Sequence, residues 1–204
     1  MTDTGSLLDL VTSQLQSGDI DTIARQVGVD SGSAMKVVAG ALPAMLSGLS
    51  KNAQDSAGAS ALADALDRDH DGSVLEDVAG FLGSTGATNT GAGILRHVLG
   101  SRQGSMEAAL GQMSGIDAGS AGQILTMVAP LLMGLLGREK RSRGLDAGGL
   151  ADLLGAEREV AKQRAPQAMD MLGGLLDSDG DGQIADDLAD LGGSLLGGLF
   201  GRPR

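Results

Sequence analysis

An internal duplication constrains the fold of this chain more than any other feature. Residues 28–34 recur 87 residues later as residues 115–121, with the glycine, aspartate, serine and alanine positions kept. The correspondence continues to a pair of prolines, Pro43 and Pro130. A repeat is usually one supersecondary unit that buries its apolar face against its neighbours. The sequence therefore predicts two related structures that pack together.

The duplication also predicts the domain organisation. Residues 1–83 form the first repeat, which ends in an acidic loop and a helix. Residues 84–91 are rich in Gly, Ser and Thr and are predicted to be a linker. Residues 92–204 form the second repeat, with a second acidic loop and a Gly-rich C-terminal helix. This repeat also carries a charged insertion, in which residues 157–167 are expected to be a solvated helix face.

The spacing of apolar residues predicts an all-α fold without a sheet. Apolar positions recur three and four residues apart, as on one helix face. The clearest such stripe consists of Ala34, Val37, Val38, Ala41, Leu42, Met45 and Leu49. Asp30, Ser31 or Ser33 could cap this helix. Pro43 and Pro130 lie inside the two matching stripes and are expected to kink or split those helices, because proline lacks a backbone donor.

Composition excludes several function classes. The chain has no Cys, Trp or Tyr, two Phe and two His. Disulfides, thiolate nucleophiles, Cys-ligated zinc and three-His metal sites are therefore ruled out, and base-stacking surfaces are nearly excluded. The net charge of −11 is the wrong sign for a general nucleic-acid binder. We therefore expect no nucleic-acid binding. Neither histidine lies in a recognisable nucleophile motif, so we also predict that the protein is not an enzyme.

Two D-x-D-x-D-G motifs are the most specific chemical signal. Three alternating carboxylates and a Gly at position 6 are typical of an EF-hand calcium loop. The candidate ligands are Asp67, Asp69, Asp71, Ser73 and Asp77 in the first loop and Asp177, Asp179, Asp181, Gln183 and Asp187 in the second. Position 12, which should be a bidentate Glu, is Val78 or Leu188. We therefore expect weak binding of Ca²⁺ or Mg²⁺; the alternative is a solvated acidic turn that caps the next helix.

A second motif, at residues 22–30, has the spacing of a helix-turn-helix. It leads into the helix that starts near Ser33. A DNA reader places basic or amide side chains on its second helix, but this one offers only Lys36, and the repeat offers only Gln123. A core-forming turn is the favoured interpretation, and a DNA-associated regulator is the alternative.

The C-terminal segment predicts a contact surface. An apolar stripe runs from Ile184 to Leu199, and Gly193, Gly197 and Gly201 recur every four residues. Small residues at this spacing allow another helix to approach closely. We expect self-association into a homo-oligomer or contact with a protein partner; the alternative is a frayed tail.

One uncharged stretch, residues 118–137, resembles a membrane span. Its strongly apolar part, residues 124–137, is short for a span and suits a buried core helix better. No positively charged segment precedes the first apolar residues, so no signal peptide is evident. The sequence thus predicts a cytoplasmic protein without a membrane span.

The order of these landmarks resembles the bacterial YidB-like family, a domain of unknown function. The resemblance rests on the turn at Val29 and Asp30, the apolar helix with Pro43, a Gly-rich gap and the motif that starts at Asp67. It covers most of residues 6–82 and recurs over residues 92–200. It implies an all-α, homeodomain-like fold with no established activity, here in two tandem copies.

Overall fold

The computed structural model describes residues 6–15 and 17–164, and these are helical almost throughout. The α-helices are α1 (Leu7–Gln14), α2 (Ser17–Val27), α3 (Ser31–Asn52), α4 (Ser56–Asp69), α5 (Val78–Leu82), α6 (Thr85–Leu99), α7 (Gln103–Ser114), α8 (Ala118–Arg143) and α9 (Ala147–Arg164). Short 3₁₀ turns occupy Ser73–Leu75 and Gly100–Arg102. Within the described residues there is no strand, so the all-α prediction is confirmed.

The helix bounds agree with the predicted offset of 87 residues. α2 and α7 end at matching positions, and each is followed by a glycine with positive φ, Gly28 at 79° and Gly115 at 80°. α3 and α8 begin 87 residues apart. Positive φ is inexpensive only for glycine, which is why both turns carry one. These two pairs are the bihelical turns that the sequence predicts.

The two long helices form the centre of the structure. α8 packs against α6, α7 and α3, while α3 also packs against α2, α7 and α9. Buried side chains from both predicted repeats belong to one hydrophobic cluster. Over residues 6–15 and 17–164, the two repeats therefore share a single hydrophobic core.

Neither proline splits its helix. α3 runs through Pro43 and α8 through Pro130 without a break, contrary to one of the two expected outcomes. A proline inside a helix removes one hydrogen bond to the carbonyl four residues before it. Both prolines lie in buried stretches, residues 40–46 of α3 and residues 124–137 of α8, so apolar packing stabilises the helix where the hydrogen bond is missing.

One further expectation about a surface segment is wrong, and a second holds only in part. The predicted linker, residues 84–91, is mostly the first half of α6. The charged stretch from residue 157 is the end of α9, and Glu159 and Lys162 are exposed there as expected, but Glu157 is only 8% exposed. Its carboxylate accepts hydrogen bonds from Ser6 Oγ at 2.6 Å and Leu7 N at 2.9 Å.

The two longest helices are also long and apolar enough to cross a membrane. By length and composition alone, Ser31–Asn52 and Ala118–Arg143 pass this test. In the structure, 67% and 78% of their most apolar windows are buried against other helices. Burial of this kind is typical of a core helix, the interpretation favoured for residues 118–137. The absence of a membrane span stays a prediction.

Equivalent aspartates cap the two central helices. Asp30 Oδ1 accepts from Ser33 N, and Asp117 Oδ1 accepts from Ser120 N, both at 2.9 Å. The serine side chain and then its backbone N–H hold the pKa of each carboxyl below the ordinary 3.8. Each carboxylate therefore contributes stability that is present above that value and lost as the pH falls through the lowered one.

We expect the double variant Asp30→Asn/Asp117→Asn to be less sensitive to acid. Asparagine also caps helices, so its melting temperature at neutral pH should stay close to that of the wild type. Between about pH 5 and pH 3 the wild type should lose more thermal stability than the variant. Thermal melts across this range test the point. The control Asp64→Asn/Asp152→Asn changes two exposed helix aspartates, and an equal flattening in that variant would contradict the assignment to the caps.

Candidate functional site

The first acidic motif lies where α4 ends and the chain turns onto α8. Asp67 and Asp69 belong to the last turn of α4, so the loop starts later than an EF-hand loop would. Gly72 makes the turn with φ of 86°. The residues after it pack on α8, where a Cβ added to Gly134 would overlap Val74 Cγ1. The motif is therefore a helix end followed by a tight turn, and the Val74 side chain anchors that turn to α8.

Asp67 does not take part in the site. Its carboxylate pairs with Lys140 Nζ at 2.7 Å and 2.8 Å. The Lys140 side chain is 11% exposed and that of Asp67 is 51% exposed. Lys140 thus ties the end of α4 to the end of α8, and the predicted ligand at position 1 has a structural role instead.

Two other carboxylates each use one oxygen to hold the turn. Asp71 Oδ1 accepts from Ser73 N at 3.0 Å, and Asp77 Oδ1 accepts from Gly80 N at 2.9 Å as the N-cap of α5. Hydrogen bonds from Ser73, with a smaller contribution from the Arg141 charge, lower the pKa of Asp71. Asp71 is therefore a carboxylate at neutral pH. The alternative interpretation, a turn that caps the next helix, describes Asp77 correctly.

An open cavity of about 340 Å³ brings the remaining predicted residues together. Its polar lining is Asp69, His70, Asp71, Ser73, Asp77 and Thr90, and its apolar lining includes Val74, Phe81 and Pro130. Four of the five residues predicted for this loop thus face one space. Among the described residues, however, no group of three or more Asp, Glu or His side chains is arranged to hold a bare metal ion.

A larger groove of about 1070 Å³ adjoins this cavity, between α4 and α6. Asp69, His70 and Thr90 line both. The groove is lined by apolar residues that include Leu49, Leu62, Ile94, Val98 and Met133, and by charged or polar residues that include Lys51, Asp55, Arg68 and His97. Asn52 Nδ2 donates to the His97 carbonyl at 3.1 Å at the α3 end.

Sequence reasoning missed this groove and the place of the two histidines in it. His70 is half-buried, and burial lowers its pKa. His70 and His97 line the same groove, although they lie far apart in the sequence. The available signal was a second apolar edge on α4, at Leu62 and Ala65, both of which line the groove.

The helix-turn-helix element is built into the core. In α3, the second helix of the element, the exposed side chains Met35 and Lys36 lie close to the N-terminus. From Val37 onward most of α3 is buried. A recognition helix needs an exposed polar face to reach base edges. The structure therefore favours the interpretation of a core-forming turn.

The remaining predicted sites lie outside the described residues. These are the second acidic loop, with Asp177, Asp179, Asp181, Gln183 and Asp187, and the C-terminal glycine stripe. Their ion-binding and self-association roles stay predictions.

Comparison with known proteins gives one finding. The model of a family described as a bacterial protein of unknown function (DUF937) matches residues 9–139 and 141–204. The boundary between the two matched stretches falls inside α8. No curated protein and no solved structure matches the chain.

Proposed function

The chain belongs to DUF937, a bacterial family of unknown function, and we propose that it is a non-catalytic helical binding domain. In this proposal the acidic cavity binds a hydrated divalent cation, and the adjoining groove contacts a second copy of the chain or another protein. The observation that carries the proposal is that Asp69, Asp71 and Asp77 line one cavity together with Ser73.

The geometry favours a cation that keeps part of its water shell. Asp71 and Asp77 each use Oδ1 to accept a backbone N–H, and both line the cavity. Carboxylates already engaged in this way favour contact with a cation through its bound waters. Mg²⁺ usually keeps several waters and is bound through one or two carboxylates, while Ca²⁺ takes six to eight oxygens. The cavity has room for such waters, and water-mediated contacts can replace direct ones. Affinity at the weak end of the EF-hand range, about 10⁻⁴–10⁻³ M, follows from the missing position-12 Glu.

In this proposal, a cation bound in the acidic cavity affects how the adjoining groove binds a protein segment. A cation in the acidic cavity lies beside Asp69 and His70, which also form one end of the groove. Neutralising carboxylates at that end changes the charge that a docked segment meets. An apolar floor with a charged rim is typical of surfaces that hold a protein segment.

We expect millimolar Mg²⁺ or Ca²⁺ to stabilise the fold, because the cation binds the folded chain and not the unfolded chain. At a tenfold excess over Kd the gain is about 1.4 kcal/mol. For a domain of this size that is a rise of about 3–5 °C in melting temperature. In the variant Asp69→Asn/Asp71→Asn the cation should raise the melting temperature less, because the first loop no longer binds it and only the second loop can. Thermal melts and calorimetry, at ionic strength matched with NaCl, measure both effects.

The matched control is Asp64→Asn/Asp152→Asn, which removes the same charge at exposed positions outside the cavity. It should keep the full response to the cation. A wild type with no heat of binding and no shift beyond the NaCl control would contradict the proposal. An equal loss in both variants would assign the response to net charge rather than to the cavity.

A further inference from the structure

The end of α8 brings several cationic side chains to the first acidic turn. These side chains are Arg138, Lys140, Arg141 and Arg143. Three of them have polar partners in the described structure, which are Gln14 Oε1 for Arg138, Asp67 for Lys140 and Glu139 for Arg143. Arg141 is exposed and forms no ion pair with another described residue. Its charge is therefore the one at this helix end that is not matched to a single carboxylate.

Arg141 instead lies over the acidic turn. Gly72 makes this turn, and a Cβ built on Gly72 would lie 3.7 Å from Arg141 Nη2. The guanidinium is thus close to the backbone between Asp71 and Ser73. The pKa of Asp71 is lowered chiefly by hydrogen bonds from Ser73 and to a smaller extent by the Arg141 charge. Arg141 does not line the acidic cavity, so a cation can enter the cavity without displacing it.

This position gives the Arg141 charge two opposite effects. In the cation-free protein it offsets the mutual repulsion of the cavity carboxylates, Asp69, Asp71 and Asp77. When a divalent cation occupies the cavity, the same guanidinium repels it. A single and a double positive charge about 7 Å apart in water repel strongly enough to lower a binding constant about sevenfold.

We propose that Arg141 is the built-in counter-charge of the acidic cavity and that it keeps the cation affinity of this cavity low. This role rests on the proposed function, because it concerns the affinity of the same cavity for the cation. A fixed counter-charge lets the turn stay folded while the cavity is empty. It also restricts occupancy to high cation concentrations, in addition to the effect of the missing position-12 Glu.

The variant Arg141→Gln should bind Mg²⁺ and Ca²⁺ about three- to tenfold more tightly than the chain that keeps Arg141. Calorimetry on the full-length protein measures the two Kd values. All chains carry Asp179→Asn/Asp181→Asn, so that the second predicted loop contributes no heat. The matched control is Arg143→Gln, which removes the same charge from the same helix end, where Arg143 pairs with Glu139 at 2.9 Å. Its affinity should stay within about twofold, because that charge is more distant and screened.

Thermal melts distinguish this role from a purely structural one. Without a cation, Arg141→Gln should melt at a lower temperature than the parent chain, because the carboxylates lose their counter-charge. At millimolar Mg²⁺ or Ca²⁺ this difference should shrink or reverse, because the variant binds the cation more tightly.

The possible failures separate this inference from the proposed function. Equal affinities with and without Arg141, or an equal loss of melting temperature in both conditions, overturn the counter-charge role and leave the cation site standing. An equal gain in affinity for Arg141→Gln and Arg143→Gln also overturns it and assigns the effect to net charge. Absence of binding heat in every chain contradicts the proposed function, and this inference with it.

Discussion

Replacing Gly91 by alanine is expected to destabilise the fold by about 3 kcal/mol, at the upper part of the usual range for overpacked contacts. A Cβ at Gly91 would overlap the carbonyl oxygen of Thr126 and lie 3.0 Å from its Cα. These are backbone atoms of α8, so no side-chain rotation can relieve the overlap. Alanine gains only about 1 kcal/mol over glycine in a helix interior, so the overlap decides the sign. Urea unfolding followed by circular dichroism gives the difference.

The control for Gly91 lies two residues further along the same helix. No atom lies within 4 Å of a Cβ placed at Gly93. Gly93→Ala should therefore stabilise the chain, by up to about 1 kcal/mol. If both variants were as stable as the wild type, α6 could not approach α8 as closely as the structure shows.

The contact at Gly91 explains why the linker prediction was wrong. Residues 84–91 were interpreted as a linker because they are rich in Gly, Ser and Thr, which are also the residues that permit close helix contacts. Pro130 lacks an N–H, so the Thr126 carbonyl has no donor four residues later in α8. Gly91 lies against that carbonyl. Composition alone cannot distinguish a linker from a closely packed helix, because the packing depends on Thr126 of α8, 35 residues later in the chain.

Features governed by short-range spacing were predictable from the sequence. The caps at Asp30 and Asp117, the turns at Gly28 and Gly115 and the buried stripe of α3 each depend on residues a few positions apart. These interactions are local, so the pattern that predicts them is also the cause of the structure.

The acidic site was predictable in part. Asp69, Asp71, Ser73 and Asp77 of the motif line one cavity, and their role as ligands stays a prediction. It misplaced Asp67, because Lys140, 73 residues later, pairs with that carboxylate at the end of α4. The adjoining groove depends on where α4 and α6 lie relative to each other, and no local sequence pattern encodes that.

Glu157 is the clearest residue whose role the sequence concealed. It belongs to a run of alternating charges, which predicts a solvated face. In the structure its carboxylate meets the N-terminus of α1, where Ser6 Oγ and Leu7 N donate to it. A negative charge at the first N–H groups of a helix is stabilising, and these contacts tie α9 to residues 150 positions earlier.

We expect Glu157→Ala to cost about 2–3 kcal/mol, because it leaves the buried Leu7 N–H without its acceptor and hydrogen bonds to a charged group are strong. Glu157→Gln keeps an acceptor oxygen and should cost about 1 kcal/mol. The control Glu159→Ala removes the same charge from an exposed position on α9 and should change stability by less than about 0.5 kcal/mol. Urea unfolding measures all three, and hydrogen exchange at Leu7 to Val11 should speed up in Glu157→Ala alone. Equal costs at positions 157 and 159 would mean that the charge of α9, rather than the contact with α1, carries the stability. A loss at Glu157 without faster exchange in α1 would place its effect within α9 itself.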